Sequence, residues 1–422
     1  MSILNLTLRL RRITQEWNAT QWVAVVLAAA MWLSVTATGL AAGVFMLLFG
    51  FRGDFQKLRF HWRKPLVLSL AALAALFALG TLWSDATLPD MSKHVSGHLK
   101  LLFIPALTLA LSRGRWPERV LLSALAGLLV LLALSTLHAV WPDAPFWPES
   151  AEIAGVPLRT YTLMNTGAAL AAYGFSLFAL QLRSAKRELA AGLAGIAVLL
   201  VLHVVFIAPS RTGILMLLAL AALGCVQAFR WRGVVAAVVA VAVAAPLLYF
   251  ASPKVRQKFD AIETEIAFSE RTGLPTSSGI RMFLWRKGLG YVAENPLIGG
   301  GTGAIAQLYR ENSAGTERVD DIGPRDPHNQ VLAFAIPFGL LGVAVLLWLW
   351  WALASAFWAA GPWAAIGQAA LVEMLVMSAF NSPIQIFGVG WFFCVVLGTL
   401  LAAVWRDECR GGEAGAAVQS RP

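Results

Sequence analysis

Residues 323–342 read GPRDPHNQVLAFAIPFGLLG. The stretch opens with charge and ends as apolar sequence that continues to residue 351. Asp326 is a good N-cap and Pro327 suits a first helical position, so a helix is expected to start there. The run over 330–351 is long enough to cross a bilayer as a helix. A histidine and an amide, His328 and Asn329, then fall on the first turn of a helix about to enter lipid.

The rest of the chain has the same character. Its 422 residues are 58% hydrophobic and 13% charged, with a mean hydropathy of +0.69. A soluble domain is nearer a quarter charged. The expected fold class is therefore an all-α polytopic membrane protein. About twelve runs can serve as transmembrane helices: near 19–37, 39–51, 65–83, 100–111, 120–140, 161–182, 189–208, 213–229, 233–250, 330–351, 362–380 and 386–404. The second and fourth are the shortest. Pro105 and Pro246 fall within spans, where proline kinks a helix. Basic residues precede the first run as in a signal peptide, but a second run follows at once, so the first is expected to be retained.

The net charge of +10 could suggest a nucleic-acid partner, but its distribution argues against one. With the N-terminus inside, the short cytoplasmic segments carry Arg9, Arg11, Arg12, Arg52, Arg63, Lys64, Arg113, Arg115, Arg183, Arg187, Arg230, Arg232 and Arg406, among others. The short outer segments carry only Lys93, Lys100, Arg159 and Arg211. This asymmetry is the positive-inside pattern and places both termini in the cytoplasm, with the basic residues facing anionic membrane lipid.

Residues 251–329 break the rhythm. They form a connection far longer than usual, with ten Lys/Arg and ten Asp/Glu. SPKVRQKFDAIETEIAFSE and SGIRMFLWRKGLGYVAENP within it both read as amphipathic helices lying over the outer membrane surface. The chain thus divides into spans one to nine (1–250), an outer loop (251–329), spans ten to twelve (330–405) and a cytoplasmic tail (406–422).

The outer face holds the groups that can do chemistry. The positive end of a helix disfavours an imidazolium, so His328 is expected to be neutral and able to accept a proton. Its plain alternative is a cap or an interfacial anchor. Arg211, in the tight hairpin IAPSRTGIL, can clamp a phosphate at the lipid surface or simply snorkel to headgroups. Arg281, Trp285 and Gly288 recur on one face of a helix, with Arg286 and Lys287 on others. Arg159 is a further outer arginine just before a span.

Other features carry less. NPLIGGGTGAI, 295–305, lacks the Lys-Ser/Thr ending of a phosphate loop and reads as a tight turn or hinge. Glu373 is a single acid inside a span, thin support for a proton relay. Asp320, Asp321 and Asp326 cluster near His328 without completing a metal-ligand motif, and no cofactor or metal is expected. Cys225, Cys394 and Cys409 suggest no disulfide framework. Together, several arginines, a helix start and a candidate base suit group transfer from a lipid-linked phosphate or pyrophosphate to an external hydroxyl.

PSRTG, then RMFLWRKGLGYVAENPLIGGGTG, then HNQVLAFAIPFGLLG resemble the ordered motifs of the O-antigen ligase and polymerase superfamily. These are a loop arginine, an Arg-x3-Trp helix running to a Pro and a Gly-rich turn, and a His-Asn before a Gly-x2-Gly span. The motif region covers roughly residues 205–345. The length is most similar to the ligase that finishes lipopolysaccharide.

The resemblance implies a C-type glycosyltransferase fold and a metal-independent, inverting transfer in a bacterial inner membrane. The implied donor is undecaprenyl-pyrophosphate-linked O-antigen, and the implied acceptor is a sugar hydroxyl on lipid A–core. By motif, Arg211, Arg281 and His328 match the family's catalytic positions. Arg159, Arg286 and Asn329 join them as substrate-binding candidates from the physical reading alone. The nearest rivals are an O-antigen polymerase and a protein O-oligosaccharyltransferase. A secondary transporter would instead show repeated halves and broken helices at the midplane.

Overall fold

The computed structural model describes residues 18–51, 64–148, 155–156, 158, 161–274, 276–311 and 326–419. Among them the chain is helical, without strands. Three short apolar helices come first: α1 (Ala19–Leu33), α2 (Val35–Phe51) and α3 (Pro65–Leu79). Six helices long and apolar enough to cross a membrane follow: α4 (Leu88–Leu111), α5 (Trp116–Val140), α6 (Tyr161–Leu182), α7 (Arg187–Ile207), α8 (Arg211–Phe229) and α9 (Arg232–Ala251). The loop contributes α10 (Pro253–Thr272), α11 (Ser277–Glu294) and α12 (Ala304–Glu311). Three more membrane helices close the described chain: α13 (Gln330–Ala356), α14 (Pro362–Phe380) and α15 (Phe387–Gln419).

α6 and α14 coincide with the expected spans residue for residue. The expectation of two loop helices needs correction, since α12 is a third. The fourth span also needs it: it starts at Leu88, not near residue 100. Its first half, LPDMSKHVSGHL, is too polar to register as a membrane run, yet Thr87 caps it and Pro89 opens its first turn. Pro105 withholds the N–H that would reach back to the Leu101 carbonyl, and the helix tightens into a 3-10 turn over Lys100–Leu102.

Burial orders the bundle. In the most apolar stretch of α15, 89% of residues are buried, against 6% in α9. α15 is therefore the central post, packed on α4, α5, α14, α1 and α6. α9 stands at the rim, where its valines and leucines face outward. In lipid that exposure costs nothing, because the solvent is itself apolar. The loop helices gather at one end of the bundle: α10 touches the ends of α7 and α9 and the start of α8, α11 rests on α13, and α12 meets α4 and α13.

α13 is broken within the apolar run. Pro337 lacks an N–H, and Gly339 adopts φ 57°, ψ −147°, outside any helix. Free backbone groups at membrane depth must find partners. They find them in the Gly-rich turn. Gly300 and Gly301 donate to the Ile336 and Pro337 carbonyls at 3.0 and 2.7 Å, while Leu340 and Leu341 donate to Pro296 and Leu297 at 2.8 and 3.2 Å. Thr302 anchors the same turn to α3, through the Phe77 and Gly80 carbonyls at 2.7 and 3.0 Å. The turn is thus a backbone plug for a broken membrane helix.

Only glycine fits at the break. A Cβ on Gly339 would lie 2.4 Å from the Leu297 carbonyl carbon. The backbone region alone costs a side-chain-bearing residue of order 1–3 kcal/mol. Gly339→Ala should therefore lower the thermal midpoint of the purified protein in detergent. Gly43→Ala, where a Cβ meets nothing within 4 Å, should not. Equal midpoints for the two variants would show that the break is not a structural requirement.

Candidate active site

The α7–α8 hairpin sets the first arginine. α7 ends in a π-turn over His203–Ile207, and Ser210 caps α8 by accepting from the Gly213 N–H at 3.0 Å. Buried Asn165 donates to the Ser210 hydroxyl and the Ala208 carbonyl, both at 2.9 Å, which fixes the turn against α6. Arg211 is then the first helical residue. Its guanidinium forks Glu265 of α10, Nη2 to Oε1 at 2.9 Å and Nη1 to Oε2 at 3.2 Å, and also donates to Ser278 Oγ at 2.7 Å. Ser278 donates from N and Oγ to the same Oε2, at 3.0 and 2.7 Å.

Partial burial opposes ionisation of Glu265, but hydrogen bonds from Arg211 and Ser278 together outweigh it and hold the carboxyl below its ordinary value. The pair therefore stabilises the loop above the ordinary carboxylate pKa and weakens as pH falls through the lowered one.

The second arginine lies on α11. Thr276 caps that helix through the Gly279 N–H at 3.1 Å and ties back to the Glu265 carbonyl at 2.8 Å. Arg281 donates from Nε to the Phe380 carbonyl at the end of α14 (3.1 Å) and from Nη1 to the Ser277 carbonyl and hydroxyl (both 2.8 Å). It forms no ion pair among the described residues. Burial pulls its pKa down, and Arg211 lies near enough to repel it, while Tyr161, Glu265 and Asp326 act the other way. One turn on, Trp285 donates to the His328 carbonyl at 3.3 Å. A Cβ on Gly288 would press on Tyr309 and Ile336 at 3.0 and 3.1 Å. The Arg281–Trp285–Gly288 face anticipated from spacing is the face that meets α13 and α14.

At His328 the structure departs from the expected helix start. α13 begins at Gln330, and Asn329 is its cap, accepting from Leu332 N at 3.0 Å and donating to the Ala379 carbonyl at 3.1 Å. Asp326 does not cap a helix. Its carboxylate accepts from the His328 N–H at 2.9 Å, an Asx turn that diverts the chain before Asn329 can cap. His328 is left in the left-handed region, φ 50°, sparsely populated for such a residue. Its Nδ1 is buried without a hydrogen-bond partner. Strain of this kind persists where surrounding structure over-determines it, often at functional sites.

The remaining candidates separate from this cluster. Arg286 is exposed and pairs with Glu270 of α10 at 2.8 Å, on a different face of α11. Arg159, Asp320 and Asp321 lie outside the described residues. The structure adds residues that periodicity does not reveal. Glu265 and Ser278 bracket Arg211. Gln330, fully buried, accepts from Ile384 N at 2.9 Å and holds the 381–386 turn. Lys100, buried near the same turn, donates to the Gln385 and Ile386 carbonyls at 3.2 Å. Glu373 is fully buried, and neither carboxyl oxygen has a partner.

Two guanidiniums, an unpaired imidazole nitrogen and polar turns thus meet at the loop-covered heads of α8, α11 and α13. Such a site can bind a phosphate-bearing headgroup at the membrane surface and take a proton beside it. No curated protein matches the chain. A family model described as O-antigen ligase matches residues 196–347, from α7 through the three loop helices into α13. That interval holds Arg211, Arg281 and His328 and nearly coincides with the motif region read from the sequence, so over this stretch the chain is similar to the O-antigen ligase family.

Proposed function

We propose that the protein is an O-antigen ligase of the bacterial inner membrane, with its active site on the periplasmic side and both termini in the cytoplasm. It moves a glycan from undecaprenyl pyrophosphate to a sugar hydroxyl of lipid A–core. The acceptor oxygen attacks the anomeric carbon from the face opposite the pyrophosphate. The carbon–oxygen bond to the pyrophosphate breaks, the leaving group takes the electron pair, and His328 takes the hydroxyl proton. The configuration inverts. Arg211 and Arg281 supply the positive charge that a divalent metal supplies elsewhere.

The observation that carries this reading is the meeting of Arg281 and His328 through Trp285 at the head of a membrane span, inside the family-matched stretch. The broken helix that a transporter would use for substrate is here saturated by the chain's own Gly-rich turn.

Proteoliposomes supplied with lipid-linked O-antigen, lipid A–core and EDTA test the proposal. Glycan should appear on lipid A–core at an undiminished rate. Elongation of the lipid-linked glycan alone would make the protein a polymerase, and glycan on a Ser/Thr peptide an oligosaccharyltransferase. Loss with EDTA and rescue by Mg²⁺ would return the metal to the mechanism.

A further inference from the structure

At the end of the bundle away from the arginine cluster, a groove of about 400 Å³ opens between α5, α6, α14 and α15. α14 tells the two ends apart. Its last residue, Phe380, bonds Arg281, and its second residue, Trp363, lines the groove.

The groove exists because α6 offers little side chain there. Gly167, Ala171 and Gly174 recur at i, i+4 and i+7 on one face of the helix, and all three line it. A Cβ on Gly174 would meet only Ile366 Cδ1, at 3.6 Å, so the open space reaches the backbone of α6. Past the first turn of α5, the lining residues are glycine, aliphatic or aromatic. A water in that depth would lack the polar partners, about two to four, that hold buried water.

The groove is also open along its side. Leu122 is 64% exposed, and Ala171, Phe175, Phe178 and Ile366 are half-buried. In a membrane this opening faces hydrocarbon. A lipid chain that enters supplies the dispersion contacts that an empty groove forfeits.

Charge at the mouth selects the headgroup. Glu118 lines it but is spent, since Arg406 donates from Nη1 to both carboxylate oxygens at 2.7 and 2.8 Å. Arg115 lines it too, is exposed, and forms no ion pair among the described residues. Arg113 is exposed beside it, and the Arg119 guanidinium lies over Trp116, 4.6 Å from the ring centroid. Unbalanced positive charge above an apolar groove is the complement of an anionic phospholipid.

We infer that the groove holds one acyl chain of an anionic glycerophospholipid whose phosphate is bound by Arg115. In the proposed topology this is a lipid of the cytoplasmic leaflet. The site lies opposite the transfer chemistry and does not depend on what the protein transfers.

The probe is phosphatidylglycerol, with zwitterionic phosphatidylcholine of the same chains as its counterpart. Each is titrated into the delipidated, detergent-purified full chain, and bound lipid is read by native mass spectrometry. The parent protein should hold one phosphatidylglycerol roughly 5-fold more tightly than phosphatidylcholine, the weight of one basic residue at an anionic surface. Arg115→Gln should bring the two lipids to equal affinity. Gly174→Leu should fill the groove and lose the site for both.

Thermal midpoints give a second reading. Phosphatidylglycerol should raise the midpoint of the parent protein but not that of Gly174→Leu. Ala171→Leu, one turn away on the same face, should show the same losses and serves if the first filler does not fold. Equal affinity of the parent protein for the two lipids would remove the headgroup site. Unchanged lipid binding by the folded fillers would place the chain elsewhere. A dimer that the fillers alone dissociate would show that a helix of a second copy, not a lipid, covers the groove.

Discussion

Arg281→Ala should slow single-turnover transfer about 10²- to 10³-fold while leaving donor affinity nearly intact, the loss typical of removing one charge-stabilising donor. Phe380 and Ser277 hold its Nε and Nη1, and no carboxylate among the described residues competes for it. A fixed, largely buried guanidinium is already organised for the charge that would develop on the leaving group of the proposed reaction, so its contribution would grow along the reaction coordinate. Arg281→Lys should recover little, because a point charge cannot span the Phe380 and Ser277 acceptors while also forking a phosphate.

Arg211 should behave differently. It forks Glu265 and reaches Ser278, so it also clamps α10 to the start of α11. Arg211→Ala should cost both chemistry and the docking of the loop. Glu265→Gln separates the two, since it weakens the clamp but leaves the arginine. A Glu265→Gln protein as slow as Arg211→Lys would assign Arg211 to architecture. Equal rates for Arg281→Ala and the parent protein would remove Arg281 from the mechanism.

Much of this site was legible in the sequence because its signals are local. A proline and a cap-forming residue before an apolar run mark a membrane entry. Arg281, Trp285 and Gly288 share a face because helices repeat every 3.6 residues. The span limits of α6 and α14 follow from hydropathy alone. What escaped was set by contacts between distant residues. The first half of α4 is polar along its length, so only its burial against other helices shows that it continues the span. Nothing near Glu265 marks it as the partner of Arg211, 54 positions away. The break in α13 is visible as Pro337 and Gly339, but its tolerance depends on backbone bonds to residues 296–301.

The start of α13 misled for a related reason. Asp326 and Asn329 are both capping residues three apart, and sequence does not say which one caps. The structure gives the cap to Asn329, whose side chain also reaches the Ala379 carbonyl on α14. That second bond is tertiary, and it is what leaves His328 outside the helix.

His328→Ala should reduce turnover about 10²- to 10⁴-fold with donor binding preserved, the usual span for loss of a general base. The altered geometry sharpens the prediction. His328 does not cap or extend α13: Asn329 caps it, and Trp285 and Asp326 bond to the backbone of residue 328, not to its ring. Replacing the ring therefore leaves every one of these contacts available, so a defect reports on the imidazole itself. His328→Gln keeps a polar side chain of similar reach but no comparable base, and should be as slow as His328→Ala. His328→Gly is the control for strain, since glycine occupies φ 50° without penalty. It should match or exceed the parent protein's thermal midpoint yet transfer no faster than the alanine variant. Near-normal single-turnover transfer by His328→Gln would mean that the ring only positions a substrate. Asp326, whose carboxylate already accepts from the His328 backbone N–H, would then be the next group to test as the proton acceptor.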